Sequence, residues 1–325
     1  MDKDFRWIYD VCCGLFCMAK GKRCFVLWLL YALLTTLSWA FADLFYKRGA
    51  LPDDRVSHIK TVIMVGLVMG IHGFAYMLAK DISFSPRSMW RYLPVSSMYI
   101  LSMTIGYFGL RYIELSISSP IQNSSGAVTA ILIFAFFPHS LSVMEVAAIS
   151  IISVGIVTLA VLEKRKSRRS LPHEDRDRKY RIGIIAILYP ILYCVVDGLG
   201  SFADAIYLDE WSLIGEDEAL LAYEFTFFLC AVLAWIYLKI KKEKFHLLGE
   251  KDRGTAALFE TTGQFFYVYA MARNAIITAP LIASYSVFSV LLSRIFLKEK
   301  LTRVQYFVII GVLMGIGLLA LSEGV

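Results

Sequence analysis

The chain alternates between apolar runs about as long as a bilayer is thick and short polar connections. Ten such runs are legible, near residues 24–46, 57–79, 91–112, 117–137, 142–162, 182–207, 218–240, 254–272, 276–296 and 304–322. A helix rises about 1.5 Å per residue, so roughly 20 apolar residues cross a hydrocarbon core about 30 Å thick. Hydrophobic residues make up 58% of the 325 and charged residues 18%, whereas a soluble domain carries about 25% charged residues. Backbone polar groups in lipid must be satisfied within the segment, which selects helices. The short connections make successive helices antiparallel neighbours. The expected protein is therefore an all-α, multi-pass integral membrane protein of a bacterial cytoplasmic membrane, with no separate soluble module.

The net charge of +6 does not point to nucleic acid, because the basic residues border the apolar runs. The densest cluster, EKRKSRRSLPHEDRDRKYR (163–181), mixes in acids and joins the fifth and sixth runs. It reads as a basic, headgroup-facing linker over 164–181. Residues 1–23 lack the positive n-region of a secretory signal, since Asp2 and Asp4 lie there, and the apolar core Val11–Ala19 is short. They read as an N-terminal interfacial segment with Phe5, Trp7 and Ile8 toward lipid. Cys12, Cys13, Cys17 and Cys24 cluster there without a His or a paired C-x-x-C. Reduced thiols are the plain reading, with metal binding or lipidation as alternatives. No cofactor and no metal is expected.

A repeat organises the rest. Shifted by 160 residues, SISSPIQNSSGAV (116–128) falls on IITAPLIASYSVF (276–288), with Pro120 on Pro280. The same register places Phe136 on Phe296, Gly155 on Gly315 and Ala160 on Ala320. A shift of 154 lays ALLTTLSWAFAD (32–43) over AILYPILYCVVD (186–197), pairing Trp39 with Tyr193 and Asp43 with Asp197. The halves are 24–163 and 182–325, each with five runs. An odd number of crossings makes the second half enter from the opposite side. The prediction is ten transmembrane helices in two inverted-topology five-helix repeats, a plan that places substrate near the midplane between halves.

The stretch from Pro280 to Leu321 contains SVLLSRIFLKEKLTRVQYFVIIGVLMGIGLLAL. It resembles the end of an EamA-type module of the drug/metabolite transporter superfamily: a Pro-containing span, an apolar span, a short turn with an acid, and a Gly-rich last span. Glu299 occupies the acidic turn position, whereas the first half has FFPHSLS (136–142) and no acid there. The resemblance implies ten helices and solute transport. It leaves the substrate open, because the superfamily moves amino acids, amines, quaternary ammonium compounds, sugars and nucleotide sugars.

Five acids lie within or close to the runs: Asp43, Asp197, Asp204, Glu224 and Glu260. A charged group at mid-bilayer costs about 2.5–3.5 kcal/mol on insertion scales. No Lys or Arg lies at comparable depth, since Arg111, Arg273, Arg294 and Lys239 sit toward run ends and can snorkel. The acids must therefore be protonated, face water or hold a cation. Trp39 and Asp43 are four apart and share a helix face, as do Tyr193 and Asp197. Glu260, Gln264 and Tyr267 form another stripe. Tyr223 precedes Glu224, Gln122 and Asn123 are adjacent, and Ser284, Tyr285 and Ser286 follow one another.

Candidate substrate-binding residues are Trp39, Asp43, Asn123, Tyr193, Asp197, Glu224, Glu260, Gln264, Tyr267 and Tyr285, with Asp43, Asp197 and Glu260 as coupling-ion candidates. Plainer roles compete. Trp and Tyr anchor helices at interfaces, and Asp204 and Glu224 can be solvated near run ends. Pro190, a turn before Asp197, is a candidate functional kink.

Acids interleaved with aromatics suit a secondary transporter for a small cationic or zwitterionic amine, working by alternating access with H+ or Na+. An exporter or exchanger of neutral or anionic metabolites is the alternative, the acids then serving only protons. An intramembrane enzyme or lipid-handling scaffold is remote: His72 and His139 are isolated and no hydrolytic constellation is visible. The expected partners are a small-molecule substrate, H+ or Na+ and the lipid bilayer, with no nucleic acid, in a monomer or homodimer. The odd-numbered connections hold most of the Lys and Arg, which places both termini outside, whereas the resemblance implies both inside.

Overall fold

The computed structural model describes residues 20–51, 53–138, 141–169 and 176–322. Its elements are helical: α1 (Lys20–Gly49), α2 (Ser57–Ala79), α3 (Pro86–Gly109), α4 (Leu115–Asn123), α5 (Ser125–Phe136) and α6 (Val143–Arg169) in the first half. The second half holds α7 (Arg176–Ala205, closed by a π-helical turn Ile206–Glu210), α8 (Glu216–Ile240), α9 (Lys251–Met271), α10 (Ala275–Ala283), α11 (Tyr285–Phe296) and α12 (Arg303–Ser322).

The helix starts follow local chemistry. Ser85 accepts from the Arg87 N–H at 3.3 Å with Pro86 at the first helical position. A capping box opens the last helix of each half. Ser142 N–H donates to Glu145 Oε2 at 2.6 Å while Glu145 N–H donates to Ser142 Oγ at 3.2 Å. Thr302 and Gln305 repeat the exchange at 2.6 and 3.4 Å, again 160 residues on.

The fourth and ninth apolar runs are each interrupted at one residue, four positions after their prolines. Ser124 and Ser284 keep helical φ but flatten ψ to −12° and −8°. Both hydroxyls turn back onto the preceding turn, Ser124 Oγ to Pro120 O at 3.0 Å and Ser284 Oγ to Leu281 O at 2.5 Å. Such back-bonding competes with the backbone ladder. Acids cap the starts of the short pieces, one from the opposite half and one from the same half. Glu299 accepts from Leu115 and Ser116 N–H at 3.1 and 2.9 Å, and Asp209 accepts from Ala275 N–H at 2.7 Å. Every residue of α4 and α10 is buried, so the interrupted helices form the centre.

The packing is symmetric between halves. α1 lies along α9 and α7 along α3; α2 meets α8, and α6 meets α12. α5 packs on α10, and α11 on α4. Exchanging α1–α6 with α7–α12 leaves these pairings unchanged. At the α2–α8 crossing a Cβ on Gly66 would sit 2.2 Å from the Phe227 carbonyl oxygen, so only glycine permits that approach. Between α1 and α2, Asp54 binds Lys60 at 2.8 Å and lies 3.5 Å from Arg253 of α9. Partial burial pushes the Asp54 carboxyl up, but Lys60, the Val56 N–H and Arg253 together hold it below the usual value.

Bulky apolar side chains such as Ile71, Leu78, Ile131, Phe134, Leu233 and Phe307 are exposed on the outside, as lipid contact requires. Six described helical segments are long and apolar enough to cross a bilayer: 27–49, 57–79, 143–162, 188–210, 216–240 and 275–296, the last comprising α10 and α11 together. α3 and α9 fall short because they carry polar residues, including Ser96, Ser102, Glu260 and Gln264, that are buried in the bundle. Helix reaches Arg169 and resumes at Arg176, within the basic stretch 164–181. Residues 1–19, with Cys12, Cys13 and Cys17, lie outside the described residues, as does the Cys24 side chain. Pro190 is carried within an uninterrupted α7.

Candidate functional site

A cavity of about 70 Å³ lies where the halves meet, lined by α1, α3, α4, α5, α7, α8, α9, α10 and α11. At roughly 10–15 Å³ per water, this is room for about five waters or the head of a small amine. Nine of the ten expected residues line it: Trp39, Asp43, Asn123, Tyr193, Asp197, Glu260, Gln264, Tyr267 and Tyr285. Among the described residues no Lys, Arg or His does.

The two aspartates related by the repeat are held alike. Asp43 Oδ2 accepts from Ser119 Oγ at 2.6 Å and Ser289 Oγ at 2.8 Å, one serine from each half. Asp197 accepts from Ser125 Oγ at 2.7 Å and Ser102 Oγ at 3.3 Å. Their aromatic partners also match. A Cβ on Gly263 would lie 2.4 Å from Trp39 Cδ1, and one on Gly106 would lie 2.8 Å from Tyr193 Cδ2. Each ring therefore lies against a glycine of the other half.

Glu260 breaks the symmetry. When Gly106 is set on Gly263, its counterpart is Met103. The one hydrogen bond to its carboxyl among the described residues is long, from Tyr46 Oη at 3.4 Å, with Tyr107 Oη donating to Tyr46 at 3.1 Å. Trp39 Nε1 donates to the Glu260 carbonyl at 3.3 Å. Trp39 also packs on Tyr267 and Tyr285, at ring-centroid distances of 5.0 and 5.7 Å. Tyr99 and Tyr267 share a 2.6 Å hydrogen bond, and Tyr99 donates to Ser201 at 3.0 Å. Asn123 turns its amide inward to Ser119 O at 2.9 Å. Gln122 Nε2 is buried without a hydrogen-bond partner among the described residues.

Two acids sit elsewhere. Glu224 lies outside the cavity, because neighbouring helical residues point about 100° apart: Tyr223 faces the cavity and Glu224 faces α2. Its carboxyl meets His72 Nδ1, so His72 is not isolated. Asp204 is bonded by the Tyr92 hydroxyl. Both acids are fully buried rather than solvated at run ends. Tyr46, Tyr99, Met103, Tyr107, Ser201 and Tyr223 also line the cavity, beyond the binding residues expected from the sequence. Tyr46 continues the Trp39–Asp43 face, and Tyr99, Met103, Gly106 and Tyr107 form a helical stripe; uncharged, that stripe drew no attention.

A sequence model of the EamA-like transporter family matches residues 26–161 and again residues 182–321. The chain belongs to the EamA-like transporter family. It is thus a multi-pass integral membrane protein of the drug/metabolite transporter type. No curated protein matches it in sequence. A solved structure titled "Crystal structure of protein" superposes with a TM-score of 0.63 at 14% identity, covering 90% of this chain and 97% of its own, and shares the fold. The EamA family accounts for two matched halves, and the site lies where those halves meet.

Proposed function

We propose that this EamA-family protein is a secondary transporter for a small cationic or zwitterionic amine, coupled to H+ or Na+. In this reading ten crossings form two inverted repeats, 24–163 and 182–325, which rock about the cavity to give alternating access. The observation that carries it is the convergence of Asp43, Asp197 and Glu260 on one aromatic-walled hollow lined by no base among the described residues. An ammonium over an aromatic face gains about 0.5–2 kcal/mol, and a carboxylate at hand supplies the net charge.

The hydrogen bonds divide the acids by role. Glu260, held only by a long phenol bond, has acceptor capacity left for a substrate ammonium. Asp43 and Asp197, each held by two serine hydroxyls, are the coupling-ion groups and clasp the interrupted helices to α1 and α7. Trp39, Tyr193, Tyr267 and Tyr285 wall the amine, while Asn123 and Gln264 order its polar end.

Uptake of radiolabelled choline into proteoliposomes under an imposed proton or sodium gradient tests this. Gradient-driven uptake that falls at least tenfold in Glu260→Gln is expected. Equal uptake in that variant, or none of any amine across a panel, sinks the proposal. The serine bonds already made by both aspartates favour a second reading, a carrier of neutral or anionic metabolites whose acids handle only protons. Sugar or amino-acid uptake without amine uptake in the same vesicles would select it.

A further inference from the structure

Glu224 and His72 meet at the seam where α2 packs on α8, away from the central cavity. The Glu224 carboxyl has no solvent exposure, and His72 Nδ1 reaches both its oxygens, at 2.7 and 3.0 Å. An unprotonated imidazole nitrogen and a carboxylate would repel at that distance. The pair therefore holds at least one shared proton, whichever group carries it. The His72 side chain keeps 34% of its surface exposed, and no described residue bonds its Nε2. One face of the ring is thus committed to a buried acid while another edge remains open to exchange.

The groups facing this pair lead toward one end of the bundle. His72 stacks on Tyr76 at 5.8 Å and meets Phe265 of α9 edge-on at 5.9 Å. The Tyr76 and Tyr269 hydroxyls lie 2.7 Å apart and both are within hydrogen-bond distance of Asp217 Oδ1, at 2.7 and 2.5 Å, so their two protons are shared among three contacts. Asp217 lies in the first turn of α8, seven residues before Glu224, or about 10 Å along the axis. α1 adds Tyr31 beside Tyr269, α3 directs Ser88 to Glu218, and Lys80 lies over the Tyr76 ring at 5.7 Å. Among the described residues no Lys or Arg pairs with Glu224. A lone buried carboxylate is costly, and the proton shared with His72 is what relieves it here.

We propose that His72 and Glu224 form a proton-exchange site at the α2–α8 seam, separate from the central cavity and reached from one end of the bundle past Asp217, Tyr76 and Tyr269. α2 and α8 are corresponding helices of the two halves, so the proton sits where the halves touch. Its coupling to transport rests on the transporter reading; the proton site itself does not.

The test is nuclear magnetic resonance of histidine-labelled full-length protein in detergent without added solute, with the His72 signals assigned by their loss in His72→Gln. The His72 ring signals should titrate between about pH 5 and 8. Glu224→Gln should displace their midpoint by about one pH unit or more, the size expected on losing a charge partner. Glu260→Gln in the cavity should leave the midpoint in place. Should Glu224→Gln fail to fold, Glu224→Asp, which draws the carboxyl back by one methylene, should still displace the midpoint. Signals that do not titrate over this range, or a midpoint unmoved by either change at 224, overturn the proposal. A protein that binds no amine yet titrates this way loses the transporter reading and keeps the proton site.

Discussion

Glu260 differs from the two aspartates in how little already holds it, and that difference sets what each substitution should do. Choline affinity in Glu260→Gln should fall at least tenfold by isothermal titration with little change in melting temperature, since losing a desolvated charge pair costs about 2–5 kcal/mol. Asp43→Ala should instead destabilise the protein by about 1–3 kcal/mol, because the Ser119 and Ser289 hydroxyls lose their acceptor. A lower melting temperature in detergent would show this. The reasons Asp43, Asp197 and Glu260 were legible in the sequence are physical: acids in apolar runs are rare, and their aromatic neighbours recur at helical spacing. Glu224 does not join them, because consecutive helical residues do not share a face and Tyr223 takes the cavity side. The tyrosines of α3 carry no charge, and so nothing marked them against ordinary core.

At the scale of elements, close approach and capping matter most. Gly66→Ala should cost about 1–3 kcal/mol, since its Cβ would press on the Phe227 carbonyl and backbone cannot move aside as a side chain can. Gly311→Ala, with nothing within 4 Å of the added Cβ, should be neutral or slightly stabilising. Paired melting curves distinguish the two outcomes. Glu299→Ala and Asp209→Ala should each cost about 0.5–2 kcal/mol by uncapping α4 and α10. The runs themselves were legible from hydropathy, but the interruptions at Ser124 and Ser284 were not, because one flattened residue leaves the apolar pattern intact. The paired capping boxes, Ser142 with Glu145 and Thr302 with Gln305, stand in the sequence at the repeat interval.

For the whole molecule, the duplication explains why acids can sit inside the bundle. Each half carries an aspartate and an aromatic ring on its first helix, the ring set against the third helix of the other half, and Glu260 adds a third carboxyl to the shared hollow. The repeat was legible because packing against the opposite half constrains Pro120, Gly155 and their partners alike. Pairing between helices of different halves was not, since hydropathy carries no information about neighbours. The most direct measurement compares the melting temperature of purified protein with choline and with its uncharged analogue, in which carbon replaces the quaternary nitrogen. A ligand at about 100 times its Kd stabilises by about 2.7 kcal/mol. The account predicts that choline raises the melting temperature of the wild type, that the carbon analogue does not, and that Glu260→Gln abolishes the difference; equal stabilisation by the two compounds would contradict it.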